Sequence, residues 1–224
     1  MRPALLAELL GAFMLVFAGT GAIIINDVSG GAITHLGIAL SFGLIVLAVI
    51  YTYGDVSGAH INPAVTIAFW VARRFPGNRV LPYIVAQCAG AIAASCVLKL
   101  MFPDHPTLGA TLPSGSAMQS IVLELILSWW LMTVILAVAH GAKEKGVVAG
   151  IVIGTVVMVE ALFAGPICGA SMNPARSLAP ALLSQNFDGL WIYLSAPVLG
   201  MVLAVWSCRF VRGERCCAAG QCGC

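Results

Sequence analysis

The chain has 224 residues, of which 60% are hydrophobic and only 9% charged. A soluble domain needs far more charge to cover its surface, so this composition excludes a water-soluble globule and places the chain in a bilayer. The formal net charge of +2 comes from basic residues scattered through short loops, which excludes a nucleic-acid-binding face.

Windows of about twenty apolar residues, enough to cross roughly 30 Å of hydrocarbon, fall near 4–26, 34–54, 80–102, 117–139, 147–167 and 190–212. That makes six spans. The first has the place of a secretory signal, but its apolar run is span-length, and Ala7-Glu8-Leu9 is matched by Leu123-Glu124-Leu125 in the fourth. It is read as a span. A glutamate inside a span is costly and requires a partner. Glu8 and Glu124 are therefore assigned to loop support, as acceptors for the amides of an adjacent re-entrant loop; the rival role is a proton- or ion-coupling acid.

After the second span comes Ser57-Gly58-Ala59-His60-Ile61-Asn62-Pro63-Ala64. Asn62 can accept from the free amides of a helix's first turn, and Pro63 at the first helical position removes a donor that has no partner, so this is a helix start. The apolar stretch that follows ends at Arg73-Arg74. It is half a span. His60 supports the loop by bonding its backbone; a pH-sensitive gate is the alternative.

The pattern returns in the second half. Glu160 lies late in the fifth span, and either clamps a loop or faces a lumen. Then Gly169-Ala170-Ser171-Met172-Asn173-Pro174-Ala175-Arg176-Ser177 repeats Gly-Ala-x-x-Asn-Pro-Ala and opens a second short apolar stretch, which ends at Ser184. Two half-helices, each begun by Asn in corresponding places of two similar halves, mark a site near the membrane midplane. With three spans per half, the halves are inverted and the half-helices meet Asn to Asn. Non-helical backbone is expected from Asp55 to Ile61 and from Pro166 to Met172, and is tolerated at that depth only beside protein or water. Small residues at Gly146, Gly150 and Gly154, and at Gly90 to Ala94, read as close helix contacts. Cys168 would bring a thiol to the outer mouth.

The doubled Asn-Pro-Ala with Arg176 after the second resembles the aquaporin and glycerol-channel family, the major intrinsic proteins, over roughly residues 4–212. The resemblance implies an all-α membrane protein with six transmembrane helices and two re-entrant half-helices in an inverted repeat. It implies a pore midplane at Asn62, Pro63, Ala64, Asn173, Pro174 and Ala175, and a selectivity filter at Phe42, Ala161, Ala170 and Arg176. A homotetramer with one pore per subunit is implied as well, with no cofactor. Water-selective members carry His where Ala161 stands, and glycerol facilitators carry Asp where Ser177 stands. The runs Ala161 to Pro166, Gly169 to Met172 and Trp191-Ile192-Tyr193-Leu194 are most similar to the plant nodulin-type intrinsic proteins and their bacterial relatives. Should Glu160 face the lumen in place of Ala161, the ring would be narrower and acidic.

The domains follow: a channel domain over 1–212, with repeats of about 1–105 and 115–212, and a Cys-rich cytoplasmic tail over 213–224. Arg2, Arg73, Arg74, Arg79, Lys143, Lys145, Arg209, Arg212 and Arg215 fall on one side when six spans alternate, which puts both termini in the cytoplasm of a plasma (inner) membrane protein. Cys216, Cys217, Cys222 and Cys224 would then be reduced, as a disordered tail, a lipidation site or a soft-metal site. The spans carry no His-Glu-x-x-His, Gly-x-Ser-x-Gly or metal-ligand set, so catalysis is not expected. The function read here is a passive channel for water and small uncharged solutes such as glycerol and arsenous or boric acid, excluding ions and protons. Its partners are membrane lipid and those solutes. A water-selective pore and an ion-coupled secondary transporter are the alternatives.

Overall fold

The computed structural model describes residues 1–139 and 143–212. The helices there are α1 (Arg2–Val28), α2 (Thr34–Ser57), α3 (Pro63–Val71), α4 (Val80–Met101), α5 (Ala117–Val138), α6 (Lys143–Cys168), α7 (Pro174–Ser184) and α8 (Leu190–Arg212), with one 3₁₀ turn at Gly77–Arg79. Six are long and apolar enough to cross a membrane. α3 and α7, with 9 and 11 residues, reach at most about 17 Å, little more than half of the roughly 30 Å core. Cys216, Cys217, Cys222, Cys224 and Arg215 lie outside the described residues, and so do the side chains of Lys143, Lys145 and Arg212.

The half-helices begin as their sequences dictate. Asn62 is extended (φ −154°) and its side chain accepts from Ala64 N–H; Asn173 is extended (φ −148°) and accepts from Ala175 and Arg176 N–H. Each is followed by Pro, whose missing N–H leaves nothing unpaired.

Two boundaries differ from expectation. α2 runs on to Ser57 and stops only where Gly58 turns left-handed at φ 86°. α6 continues through Pro166 to Cys168, although the proline removes one N–H and its ring crowds the carbonyl four residues back. The carbonyl left without that donor, Leu162 O, is met by His35 Nε2 at 2.6 Å.

Packing follows the inverted repeat in matched pairs. α1 packs on α2 and α4 as α5 packs on α6 and α8, and each half-helix lies on the other half's last span, α3 on α8 and α7 on α4. The closest approaches also come in pairs. Gly90 lies against the Leu9 carbonyl and Gly200 against the Leu125 carbonyl, while Gly43 and Gly154 face each other so closely that a Cβ on either would come within 2.6 Å of the other's carbonyl oxygen. Backbone cannot yield as a side-chain tip can. Gly90→Ala should therefore lower the folded yield and thermal stability of the detergent-purified protein by about 1–3 kcal/mol. Gly54→Ala, where the added methyl meets only Ile50 at 3.9 Å, should leave both unchanged.

Candidate functional site

The site is built from two short loops of unusual backbone. In the first, Gly58, Ala59 and Ile61 have φ of 86°, 45° and 43°; in the second, Gly169, Ala170 and Met172 have 79°, 42° and 52°. A left-handed non-glycine residue costs of order 1–2 kcal/mol, and each loop holds two. What offsets this is a buried carboxylate. Glu8 accepts from His60 N–H at 2.9 Å and Ile61 N–H at 2.7 Å, and Glu124 accepts from Ser171 N–H at 2.7 Å and Met172 N–H at 2.9 Å. Glu8 also takes bonds from Ser57 Oγ and Gln87 Nε2, both at 2.7 Å. Both glutamates are fully buried.

With their amides turned to the glutamates, the loops present carbonyls to each other's asparagine. Asn62 Nδ2 donates to Met172 O at 2.7 Å, and Asn173 Nδ2 donates to Ile61 O at 2.9 Å. Each amide nitrogen carries two hydrogens and spends one on this brace. The second is left for whatever occupies the space beside it.

That space is a cavity of about 640 Å³ reached by both asparagines. Its walls are mostly apolar, with Leu15, Val46, Val65, Leu131, Ile153 and Val157 among them. Toward the face where α1 begins and α8 ends it is lined by Tyr51, Asp55, His60 and Arg74, and toward the opposite face by Phe42, Ala161, Ala170 and Arg176. Arg176 is 2% exposed; its Nη1 donates to Gly109 O at 2.9 Å and its guanidinium carbon lies 5.1 Å from the centre of the Phe42 ring. Phe42 itself is seated against Gly19, where a side chain would collide with the ring.

Ala161 lines the cavity and Glu160 does not. The loop-support role expected of Glu160 is corrected: its side chain is fully buried and neither carboxyl oxygen accepts a hydrogen bond among the described residues, because the helical step of about 100° that brings Ala161 to the cavity turns its neighbour into the helix packing. Cys168 is corrected too. It is buried, donates from Sγ to Glu124 Oε1 at 3.4 Å, and is not part of the cavity lining. His60 meets Thr66 Oγ1 through Nδ1 at 3.1 Å, stacks on Phe69 and packs against Phe75 and Tyr83, so its ring ties the loop to the half-helix and to α4. The Ser177 hydroxyl joins Thr111, in the connection before α5, and Ser171.

Several supporting residues escaped the sequence reading. Gln87, a buried amide in an apolar span, donates to both Glu8 and Thr66, and the rule applied to intramembrane glutamates would have found it. Gly109 and Thr111 lie in the connection between α4 and α5, and nothing local in that stretch marks them as partners of Arg176 and Ser177.

Six crossings, two re-entrant half-helices and a cavity running past both their N-termini define a membrane channel. Comparison with known proteins agrees. The family model described as Major intrinsic protein matches residues 1–207. Aquaporin NIP1-4 of Oryza sativa subsp. japonica is 47% identical over 214 residues, covering 94% of this chain and 78% of the relative. Nodulin-26 of Glycine max is 44% identical over 209 residues, covering 93% and 77%. The aquaglyceroporin from Plasmodium falciparum has the same fold, with a TM-score of 0.83 at 25% identity over 92% of this chain and 95% of that one. The chain belongs to the major intrinsic protein family. It is an integral membrane channel for water and small solutes, similar to the nodulin-type members as its motifs led one to expect.

Glu124→Gln would set an NH2 group against one loop amide and strand a buried donor, at about 1–3 kcal/mol. Water flux per reconstituted channel, read by stopped-flow light scattering, should fall by about tenfold. Glu160→Gln removes no bond and should leave that flux within about twofold.

Proposed function

We propose that the channel passes water together with small uncharged hydroxylated solutes, such as glycerol and arsenous or boric acid, and rejects ions and protons. The observation that carries this reading is the pair Asn62 and Asn173, each with an Nδ2 donor beside a half-helix N-terminus, on one lumen that also holds Arg176. Each helix end contributes roughly half a positive unit charge. A neutral solute offers its oxygen to these donors. A cation meets a repulsive field and no acceptor to replace its hydration, and a water held by both asparagines cannot relay a proton without rotating.

In this reading Asn62, Pro63, Ala64, Asn173, Pro174 and Ala175 form the midplane, and Phe42, Ala161, Ala170 and Arg176 form the filter. Arg176 repels cations and donates to solute oxygens while Phe42 supplies an apolar wall. Two alanines opposite a single aromatic ring leave room for more than one water, which favours polyols and metalloid hydroxides over a water-selective pore. The reading includes a channel domain over 1–212, with repeats of about 1–105 and 115–212. It also includes a homotetramer with one pore per subunit in a plasma (inner) membrane, with no catalytic activity. Both termini are cytoplasmic, supported by Arg2, Arg73, Arg74, Arg79 and Arg209 standing on one side of the spans.

Stopped-flow swelling of proteoliposomes against sorbitol, glycerol and boric acid tests it. Glycerol and boric acid should enter passively with no accumulation under a proton gradient; uphill uptake would replace the channel with a coupled transporter. Ala161→His should reduce glycerol flux by about tenfold and water flux by about twofold or less, since a polar ring that size rejects the larger solute first. Equal loss of both would remove Ala161 from the filter.

A further inference from the structure

His35 stands near the start of α2, seven residues before Phe42 and so on the same stripe of the helix. Its Nε2 lies 2.6 Å from the carbonyl oxygen of Leu162, the residue after Ala161 in α6. A carbonyl only accepts, so Nε2 carries the hydrogen. That carbonyl is free for a reason written in the chain: its helical donor would be the amide four residues on, and that residue is Pro166. The histidine ring is packed against the same stretch, since a Cβ on Gly165 would come within 2.8 Å of His35 Cε1.

A second contact locks the same two helices deeper in the protein. Gly43 and Gly154 meet backbone to backbone. Phe42 adjoins Gly43 and Ala161 adjoins Leu162, so these two walls of the lumen hang from the two locks. The inner lock is backbone against backbone, whereas the outer one adds a side chain bonded to backbone where Ala39, Ala161 and Ala164 share one buried cluster.

We propose that His35 is a positioning residue for solute selectivity: its bond to the Leu162 carbonyl holds α6 against α2 and so sets the gap between Ala161 and Phe42. The inference rests on the filter assigned above. Without the bond, the Leu162 carbonyl has neither its helical donor nor a side-chain one, α6 is free to shift away from α2, and the gap widens. Larger solutes gain more from this than water does.

The test is the ratio of glycerol to water permeability in proteoliposomes holding equal amounts of monodisperse protein. His35→Ala should raise the ratio by about threefold, the scale of one hydrogen bond, and His35→Gln, which carries an amide donor at a similar reach, should return it to the parent value. In a Pro166→Ala background the backbone amide restored at that position takes the Leu162 carbonyl, so His35→Ala should then change the ratio by less than half as much. This double variant and His35→Gln keep a partner for the carbonyl and carry the test if His35→Ala alone does not fold. An unchanged ratio in His35→Ala, with Phe42→Ala altering it, would overturn the role of His35 while leaving the filter in place. Equal effects of His35→Ala with and without Pro166 would overturn it too. If neither Phe42→Ala nor Ala161→His alters the ratio, the filter itself is wrong and the role of His35 falls with it.

Discussion

Four backbone amides bonded to two buried carboxylates hold the centre of this molecule in shape. Glu8 takes the amides of His60 and Ile61, and Glu124 those of Ser171 and Met172. In a low-dielectric interior such charge-assisted bonds are strong, and an unpaired loop amide is expensive. They keep left-handed residues in place and thereby turn the carbonyls of Ile61 and Met172 toward Asn173 and Asn62. Each loop thus completes the other's asparagine, and neither half can be placed without its counterpart. Arg209 Nη2 adds a hold at the far end of one half-helix by donating to the Val71 carbonyl at 3.1 Å, at the C-terminus where a cation is favoured.

The two halves share a backbone plan and differ in the side chains that serve it. Around the first loop the support comes from Ser57, Gln87 and Thr66; around the second it comes from Cys168, Thr111, Ser171 and Ser177. The difference with the largest chemical effect is the third residue of each half-helix, Val65 in one and Arg176 in the other. Both line the cavity. An apolar group beside one asparagine and a guanidinium beside the other make a symmetric scaffold into a cavity with a basic group at one end.

The same asymmetry governs how the walls are held. Arg176 is fixed by the Gly109 carbonyl and the face of Phe42, Phe42 rides on α2, and Ala161 rides on α6. The α2–α6 interface therefore carries two of the lumen's walls as well as a large share of the contact between the halves. Its Gly43–Gly154 contact is backbone on backbone, and its outer end depends on His35 and the carbonyl that Pro166 leaves open.

Much of this was legible in the chain. Span lengths follow from hydropathy, and the half-helix starts follow from Asn-Pro-Ala, because both are local: a bilayer sets the length, and a capping side chain bonds amides two or three residues away. The matched glutamates could be assigned to loop amides because charge inside a span requires a partner. Other features could not be read locally. Whether Glu160 or Ala161 meets the lumen is a rotation of one helical step, set by how α6 leans on α2. The donor that meets the carbonyl Pro166 leaves open comes from a histidine 127 residues away in sequence, and Arg176 is anchored on a carbonyl 67 residues away. The sequence by itself determined the elements, their caps and the costly groups needing partners, since those are settled within a turn or two of helix. Only the tertiary structure decided which partners they found and which side chains face the lumen, since those depend on how distant segments pack together.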